Sequence, residues 1–177
     1  MIKKKLKSVT LIELLMYVAL TGVIMLTVSY LLTTVSQIKI KSKVISEVEG
    51  QGLQVITALN QSIKNSRDVT SPAVGTTSSN LTLAMDGPAQ NPTAFQLDNN
   101  TITITEGDSQ SIALSAPAVS IYDISFSNLD FGLGVPDEIK IQFTVKSAYS
   151  NPGYEFNYQK TFYTTTSLRN FTQDEEI

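Results

Sequence analysis

The stretch from Thr10 to Ile38, which reads TLIELLMYVALTGVIMLTVSYLLTTVSQI, decides the fold. The next charged residue after Glu13 is Lys39, so positions 14–38 carry no charge, and Leu, Val, Ile and Met dominate positions 14–32. A bilayer core of about 30 Å is crossed by roughly 20 helical residues, whereas the apolar region of a signal peptide has roughly 7 to 15. The sequence therefore predicts a membrane-spanning helix over about 14–35. The alternative is a helix buried in a soluble core.

Lysines flank the apolar stretch unequally. Four of them precede it within the first eight residues, and three follow it: Lys39, Lys41 and Lys43. Because positive charge near a span favours the cytoplasmic side, we expect a single-pass protein of the cytoplasmic (inner) membrane with its N-terminus inside and its C-terminal body outside.

The composition of the whole chain excludes several classes of enzyme. The 177 residues correspond to one domain, and they contain neither cysteine nor histidine. Disulfide bonds, thiolate nucleophiles and histidine bases are therefore absent, which excludes zinc enzymes, cysteine proteases and Ser-His-Asp hydrolases. We expect no cofactor and no metal.

The charge is distributed unevenly along the chain. Four of the 13 basic residues lie in the first eight positions, which leaves nine basic against 16 acidic residues and a net charge of −7 for the rest. An acidic surface repels phosphate backbones, so we do not expect nucleic-acid binding.

Glu13 is the acidic residue at the start of the apolar stretch. An acidic side chain at the centre of a spanning helix costs roughly 2.5 to 3.5 kcal/mol, and less near its end, so the apolar residues that follow tolerate it. An ionisable group at this depth predicts a cationic partner, such as an amine held in the same apolar layer. The alternative is that Glu13 lies at the level of the lipid headgroups.

The segment Lys7-Ser8-Val9-Thr10-Leu11-Ile12-Glu13-Leu14-Leu15 resembles the prepilin leader and cleavage motif of type IV pilins and type II secretion pseudopilins. The family pattern is a short basic leader, a small residue (nearly always Gly) before the cut, an apolar residue (usually Phe) after it, and then Thr-Leu-Ile-Glu. Ala19 and Gly22 also stand where the family often has Ala and Gly. The chain departs from the pattern at Ser8 and Val9, and it lacks the frequent mid-helix proline.

The resemblance implies a set of processing and assembly residues. Residues 1–8 would be a leader that a prepilin peptidase removes after Ser8, leaving Val9 as a methylated N-terminus. The peptidase would recognise Lys7, Thr10, Leu11 and Ile12. In the filaments of this family the carboxylate that corresponds to Glu13 meets the N-terminal amine of a neighbouring subunit and sets the axial register.

Beyond the span, apolar residues recur at intervals of three and four. These are Ile45, Val48, Gly52, Val55/Ile56, Leu59 and Ile63. The spacing predicts an amphipathic helix over 38–65 that continues the span, so that one helix covers 9–65 and packs on a globular head. The alternative is that the stripe forms a groove for a partner helix. Gly50 and Gly52 each cost up to about 1 kcal/mol relative to Ala and allow a local bend.

The sequence pattern of the remaining residues, 66–177, is typical of an all-β head. Turn residues separate short alternating runs. The predicted strands are 81–85, 93–97, 101–105, 111–114, 119–126, 138–146 and 154–165. Turns are predicted at 98–100 and at 106–108. The fold class is therefore α+β, and the resemblance implies a pilin-like fold, with the long helix packed against an antiparallel sheet.

Little in the head points to chemistry. It contains no nucleophile elbow, phosphate loop or dinucleotide fingerprint, so we expect no enzyme. Asp174, Glu175 and Glu176 are more typical of a solvated tail than of a calcium site. A run of aromatic residues suits either a core or an adhesive face, and the core is favoured: Tyr154, Phe156, Tyr158, Phe162 and Tyr163.

The resemblance implies a minor subunit that initiates or caps a type IV pilus, a competence pilus or a type II secretion pseudopilus. The order of elements is most like the J class of minor pseudopilins and PilW-type minor pilins; another minor subclass or a major pilin are the alternatives. The implied partners are other subunits, the prepilin peptidase, the membrane and the inner-membrane assembly platform, and the final location is a cell-surface or periplasmic filament. A rival function is a permanently anchored single-pass binding or adhesion module of the cell surface.

Overall fold

A computed structural model describes residues 10–129, 138–148 and 157–169. One long helix, α1 (Leu11–Asn65), is followed by strands that all belong to antiparallel sheets. The strands are β1 (Asp68–Ser71), β2 (Thr77–Ser78), β3 (Leu81–Ala84), β4 (Thr93–Asp98), β5 (Thr101–Glu106), β6 (Ile112–Ala113), β7 (Val119–Leu129), β8 (Glu138–Ser147) and β9 (Gln159–Ser167). This is an α+β arrangement.

The chain forms two compact units, Met1–Ser42 and Lys43–Ile177. The described part of the first unit is the beginning of α1, where every residue except the half-buried Thr34 is exposed. The second unit contains the rest of α1 together with all the strands. The second half of the predicted helix 9–65 therefore belongs to the same unit as the strands, while the division into leader (1–8), long helix (9–65) and head (66–177) stays a prediction.

The head contains two sheets where we expected one. The first has the order β1-β3-β4-β5-β6, and the second has the order β2-β7-β8-β9. The Ile121 amide of β7 donates to the carbonyl of Asn100, in the turn between β4 and β5, at 2.8 Å, but β7 pairs along its length with β8. Alternation in a sequence predicts which face of a strand is buried, but it does not specify which strands share hydrogen bonds.

Most of the predicted strands are confirmed, with small differences at their ends. β7 extends three residues beyond its predicted end, and the short strands β1 and β2 were not predicted. The last strand begins later than predicted, because Tyr158 lies outside β9. The aromatic alternation that suggested the earlier start includes Tyr154 and Phe156, which lie outside the described residues.

Two predicted turns are confirmed by the backbone. Asn99 and Asn100 have φ values of 46° and 62° and connect β4 to β5. Both positions of such a tight hairpin turn require positive φ, which asparagine tolerates better than most residues. Gly107, at φ 53°, follows β5, and a Cβ there would lie 2.6 Å from the carbonyl oxygen of Ala89, so glycine is required.

The core of the head forms where α1 meets the strands. Val48, Val55, Leu59 and Ile63 are completely buried and join one cluster with strand residues. The largest fully buried strand side chains are Phe95, Phe126 and Phe143. The core interpretation of the stripe is confirmed, with one correction: Val44 is buried, whereas Ile45 and Ile56 are only half-buried at its edges. Residues 44 and 45 both lie near the helix face that the 3.6-residue period selects, and packing decides between them.

Gly52 allows the closest approach between α1 and the second sheet. The ring of Phe162 occupies the space where a Cβ at position 52 would lie. Phe162 is 7% exposed and stacks on Phe143, with ring centroids 5.4 Å apart, so it has little room to move. By contrast, a Cβ at Gly50 would have no atom within 4 Å. The helix continues through Gly50 and Gly52 without interruption, although glycine allows a local bend.

Polar contacts connect α1 to the strands, and to the segments between them, around this apolar core. The ammonium of Lys160 lies 2.7 Å from Glu49 Oε1, and the Tyr158 hydroxyl donates to the same oxygen at 3.3 Å. The Ala116 amide donates to Gln51 Oε1 at 2.9 Å, and the Thr166 hydroxyl donates to Asn60 Oδ1. The hydrogen bond and the charge of Lys160 lower the pKa of Glu49, and the same pairing raises the pKa of Lys160.

The two glycines should respond oppositely to alanine. We expect Gly52→Ala to destabilise the head by about 1–3 kcal/mol, because the new methyl group overlaps the Phe162 ring. Gly50→Ala should stabilise it by about 0.5–1 kcal/mol, because alanine favours the helix and meets no neighbour. Thermal unfolding of the full chain in detergent, followed by near-ultraviolet circular dichroism, measures both; equal effects would contradict the packing described at Gly52.

The Glu49–Lys160 pair should contribute to stability only within a pH window. Since the pKa of Glu49 is lowered, its contribution is present above its ordinary value of 4.5 and is lost as the pH falls through the folded value. Since the pKa of Lys160 is raised, its contribution is complete below 10.5 and is lost at higher pH. Both side chains are about two-fifths exposed, so the effect is small.

We therefore expect Glu49→Gln to lower stability slightly at neutral pH and to have a smaller effect as the pH falls below 4.5. Denaturant midpoints of the wild type and the variant across pH measure this difference. A difference that stays constant into acid would show that the lost charge was not responsible.

Candidate assembly site

Thr10 caps the N-terminal end of α1. Its hydroxyl oxygen accepts a hydrogen bond from the Glu13 amide at 3.4 Å, and its carbonyl accepts one from the Leu14 amide at 3.1 Å. The first amides of a helix lack partners within the helix, and a threonine before the first turn supplies one of them. The helix therefore begins at Leu11 and is stabilised by the motif that precedes the apolar stretch.

Glu13 lies in the first turn of α1, where the positive end of the helix dipole favours a negative charge. It is exposed, and so are its neighbours Leu11, at 84%, and Ile12, at 71%. The structure thus brings together Thr10, Leu11, Ile12 and Glu13 at one helix end. The other predicted processing residues, Lys7, Ser8 and Val9, lie outside the described residues.

The capping role of Thr10 was not predicted, although the sequence contains a signal for it. A threonine followed three residues later by a glutamate is the spacing of a capping box. The Thr10-to-Glu13 motif therefore has a local structural role, starting the helix, in addition to the processing role that the resemblance implies.

The apolar stretch of α1 presents its side chains outward. Its most apolar window has a mean hydropathy of 2.2, and none of that window is buried. By length and composition the helix is able to cross a membrane. The alternative of a helix buried in the chain's own core is wrong, because each apolar side chain from Leu14 to Leu32 is exposed.

Five hydroxyl groups along this surface are satisfied within the helix. The hydroxyls of Thr21, Thr27, Thr33, Thr34 and Ser36 each donate to a carbonyl three or four residues earlier, at 2.7 to 3.2 Å. A polar group in hydrocarbon must find its partner inside the protein. Because these hydroxyl groups already have partners, they expose less hydrogen-bonding capacity to surrounding lipid or protein than their number suggests.

One face of the exposed helix has a shallow groove of about 410 Å³. Its lining residues follow helical spacing: Leu14, Tyr17, Val18, Thr21, Gly22 and Met25. Gly22 contributes no side chain to this lining, and nothing lies within 4 Å of where its Cβ would be. Small residues on an apolar helix allow another helix to approach closely. Glu13 is not part of this lining.

The head offers a different kind of surface. A cleft of about 340 Å³ lies between the end of α1 and the loop after β3, and Asp86, Glu106, Gln61 and Gln90 contribute to its largely polar lining. Within residues 10–129, 138–148 and 157–169, no group of three acidic, histidine or cysteine side chains could hold a metal ion. The terminal cluster Asp174, Glu175 and Glu176 is outside those ranges.

The aromatic run divides between core and surface. Phe162 is buried and Tyr158 packs partly against the core, which confirms the core interpretation for these two residues. Tyr163 is 63% exposed, because successive residues of a strand point to opposite faces, so the prediction is wrong there.

Comparisons with protein-family models, with curated proteins and with solved structures found no match. The features that bear on function are therefore the chain's own: an apolar helix that no other described residue covers, and a capped first turn that carries Glu13.

Proposed function

We propose that the chain is a minor pilin or pseudopilin. It is inserted into the cytoplasmic membrane with its N-terminus inside, cut after Ser8 by a prepilin peptidase and methylated at Val9. An assembly platform then extracts it into a helical filament, where it helps to initiate or cap a type IV pilus, a competence pilus or a type II secretion pseudopilus. Its function is assembly and contact, not catalysis.

The observation that carries this proposal is the uncovered apolar helix with Glu13 in its first turn. Burying one Leu, Ile or Val side chain stabilises by about 1.5–3 kcal/mol, so a surface of this size is stable only in lipid or against other apolar helices. When the subunit leaves the membrane for a filament, the apolar helices of neighbouring subunits replace the lipid around this surface. The groove at Gly22 supports such packing, because a neighbouring helix fits closely there.

Glu13 requires a partner in such an environment. Hydrolysis of the Ser8–Val9 bond adds water across the peptide bond, leaving a carboxylate on Ser8 and a new amine on Val9. This amine lies only four positions before Glu13, so the two charges enter the same layer. Between neighbouring subunits they neutralise each other, and the pairing sets the axial register of the filament.

The head supports a role in contact with other proteins. The body of the chain is acidic, which disfavours nucleic acid. The side chains of Ile112 and Tyr163 are exposed on strands of the two sheets.

We expect Glu13→Gln to separate membrane insertion from assembly. The variant keeps the shape of the side chain and removes its charge, so insertion should be unchanged or improved. Removing one member of a buried ion pair leaves the other charge unpaired and costs about 3–5 kcal/mol, so recovery in filaments should fall at least tenfold. Membrane and filament fractions are compared by immunoblotting, with Glu47→Gln as the control for loss of one acid on the same helix, for which no loss is expected.

Normal recovery of Glu13→Gln in filaments would contradict the proposed role of this residue. A wild-type chain that stays entirely in the membrane, in cells that assemble filaments, would favour the permanently anchored binding module instead.

A further inference from the structure

Three lysines follow the apolar stretch of α1 within five residues. Lys39, Lys41 and Lys43, which we call the lysine cluster, are all exposed. They are the only charged residues between Glu13 and Glu47, so no acid balances their charge in this part of the helix. An uncovered apolar surface therefore ends in a concentration of positive charge.

The ammonium groups of the lysine cluster have no partner in the part of the chain that the structure describes. The single ion pair there joins Lys160 to Glu49, and none of the hydrogen bonds there involves a lysine of the cluster. Glu47 lies four residues after Lys43 but makes no ion pair with it. Lys39 and Lys43 are themselves four residues apart, a spacing at which like charges destabilise a helix. An anion bound beside them would offset this repulsion.

The lysine cluster has the axial height of a lipid headgroup layer. Its first and last members are separated by about 6 Å along the helix axis, at a rise of about 1.5 Å per residue. A bilayer of about 40–45 Å has a hydrocarbon core of about 30 Å, which leaves about 5–8 Å for the headgroups on each side. Because the Cα–Cβ bonds of a helix tilt toward its N-terminus, the lysine side chains leave the backbone in the direction of the apolar stretch. The cluster can therefore reach the phosphate groups of a bilayer that holds this stretch.

The cluster surrounds the helix and does not line one side of it. At about 100° per residue, Lys41 lies about 200° from Lys39 around the axis, whereas Lys43 lies within about 40° of Lys39. A protein that docks on one side of α1 would meet only part of the cluster, while lipid headgroups encircle a spanning helix. Ile38 and Ile40 alternate with the lysines and are 61% and 45% exposed. Apolar and cationic side chains on the same turns fit the boundary between hydrocarbon and phosphate.

We propose that the lysine cluster binds the headgroups of anionic phospholipids. The charge of the cluster selects this occupant, because a zwitterionic headgroup brings a cation of its own and an anionic headgroup does not. The inference goes beyond the proposed function: it requires that α1 lies in a bilayer, and it holds whether or not the chain later enters a filament. It is also independent of the orientation of the chain when both leaflets contain anionic lipid.

Tryptophan fluorescence can report which lipids lie beside the cluster. The chain contains no tryptophan, so Ile38→Trp introduces a single reporter next to Lys39. The full-length variant is reconstituted in vesicles in which phosphatidylglycerol is the minor lipid and phosphatidylcholine the major one. Two preparations of the same composition differ only in whether the phosphatidylglycerol, or an equal amount of the phosphatidylcholine, carries bromine near the headgroup. Because bromine quenches by contact, lipids gathered by the four lysines before the apolar stretch do not enter the measurement.

We expect phosphatidylglycerol to be enriched at least fivefold over phosphatidylcholine beside the reporter. One lysine near an anionic membrane surface contributes a factor of about five, and salt screens part of the contribution of the others. Replacing all three lysines of the cluster by glutamine should reduce the enrichment to less than twofold. Replacing them by arginine, which keeps the charge, should preserve it. Quenching by brominated phosphatidylcholine shows that each variant has inserted.

Three lysines outside the cluster provide the matched control. Lys64→Gln, Lys140→Gln and Lys146→Gln together remove the same amount of charge from the chain. We expect this triple variant to keep the full enrichment beside Ile38→Trp, because the charge that gathers the lipid is local.

The outcomes separate this inference from the proposed function. Equal quenching by the two brominated lipids would overturn the inference and would leave the cluster to an acidic protein surface. An enrichment that survives the glutamine substitutions in the cluster, or that the control substitutions abolish equally, would overturn it as well. In these cases the proposed function stands. If neither lipid quenches the reporter, α1 does not hold residue 38 at the membrane, which contradicts both the inference and the membrane step of the proposed function.

Discussion

The surface of residues 14–38 is the constraint on which the rest of the account depends. It carries no charge, and within the described residues all its side chains except the half-buried Thr34 are exposed. Water does not stabilise such a surface, whereas lipid or the apolar face of another helix would. Glu13 adds a charge at the start of this surface. Neither lipid nor an apolar helix face solvates that charge, so Glu13 needs a polar or cationic partner. A neighbour that supplies both apolar contact and a cation meets the two needs together.

The second half of the same helix is held in a different way. From Val44 to Ile63 its buried side chains belong to the core of the head, and Gly52 admits the ring of Phe162 from the last strand. One continuous helix thus has two environments, with an abrupt change of exposure near Lys43.

The parts of the fold that depend on local pattern were predictable from the sequence. The helix stripe, the turn at Asn99–Asn100 and the alternation in β8 follow from helical period, positive φ and strand period, and the structure confirms them. The division into two sheets was not predictable, because it depends on which distant strands pair. The close fit of Gly52 with Phe162 joins residues far apart in sequence and leaves no local signal. At the candidate site, the position of Glu13 was predicted, whereas the cap at Thr10 was missed although its spacing was present. The role of Glu13 in a filament stays a prediction, because it depends on a second molecule.

The mass of the chain tests the central claim most directly. In the proposed function, cleavage creates the N-terminal amine beside Glu13, so filaments and membranes should contain a chain that begins at Val9 and carries an added methyl group. Intact-mass spectrometry of the purified full-length protein, expressed with its prepilin peptidase, measures this. A chain that still begins at Met1 in every fraction would contradict the account, because Glu13 would then have no neighbouring amine in its layer.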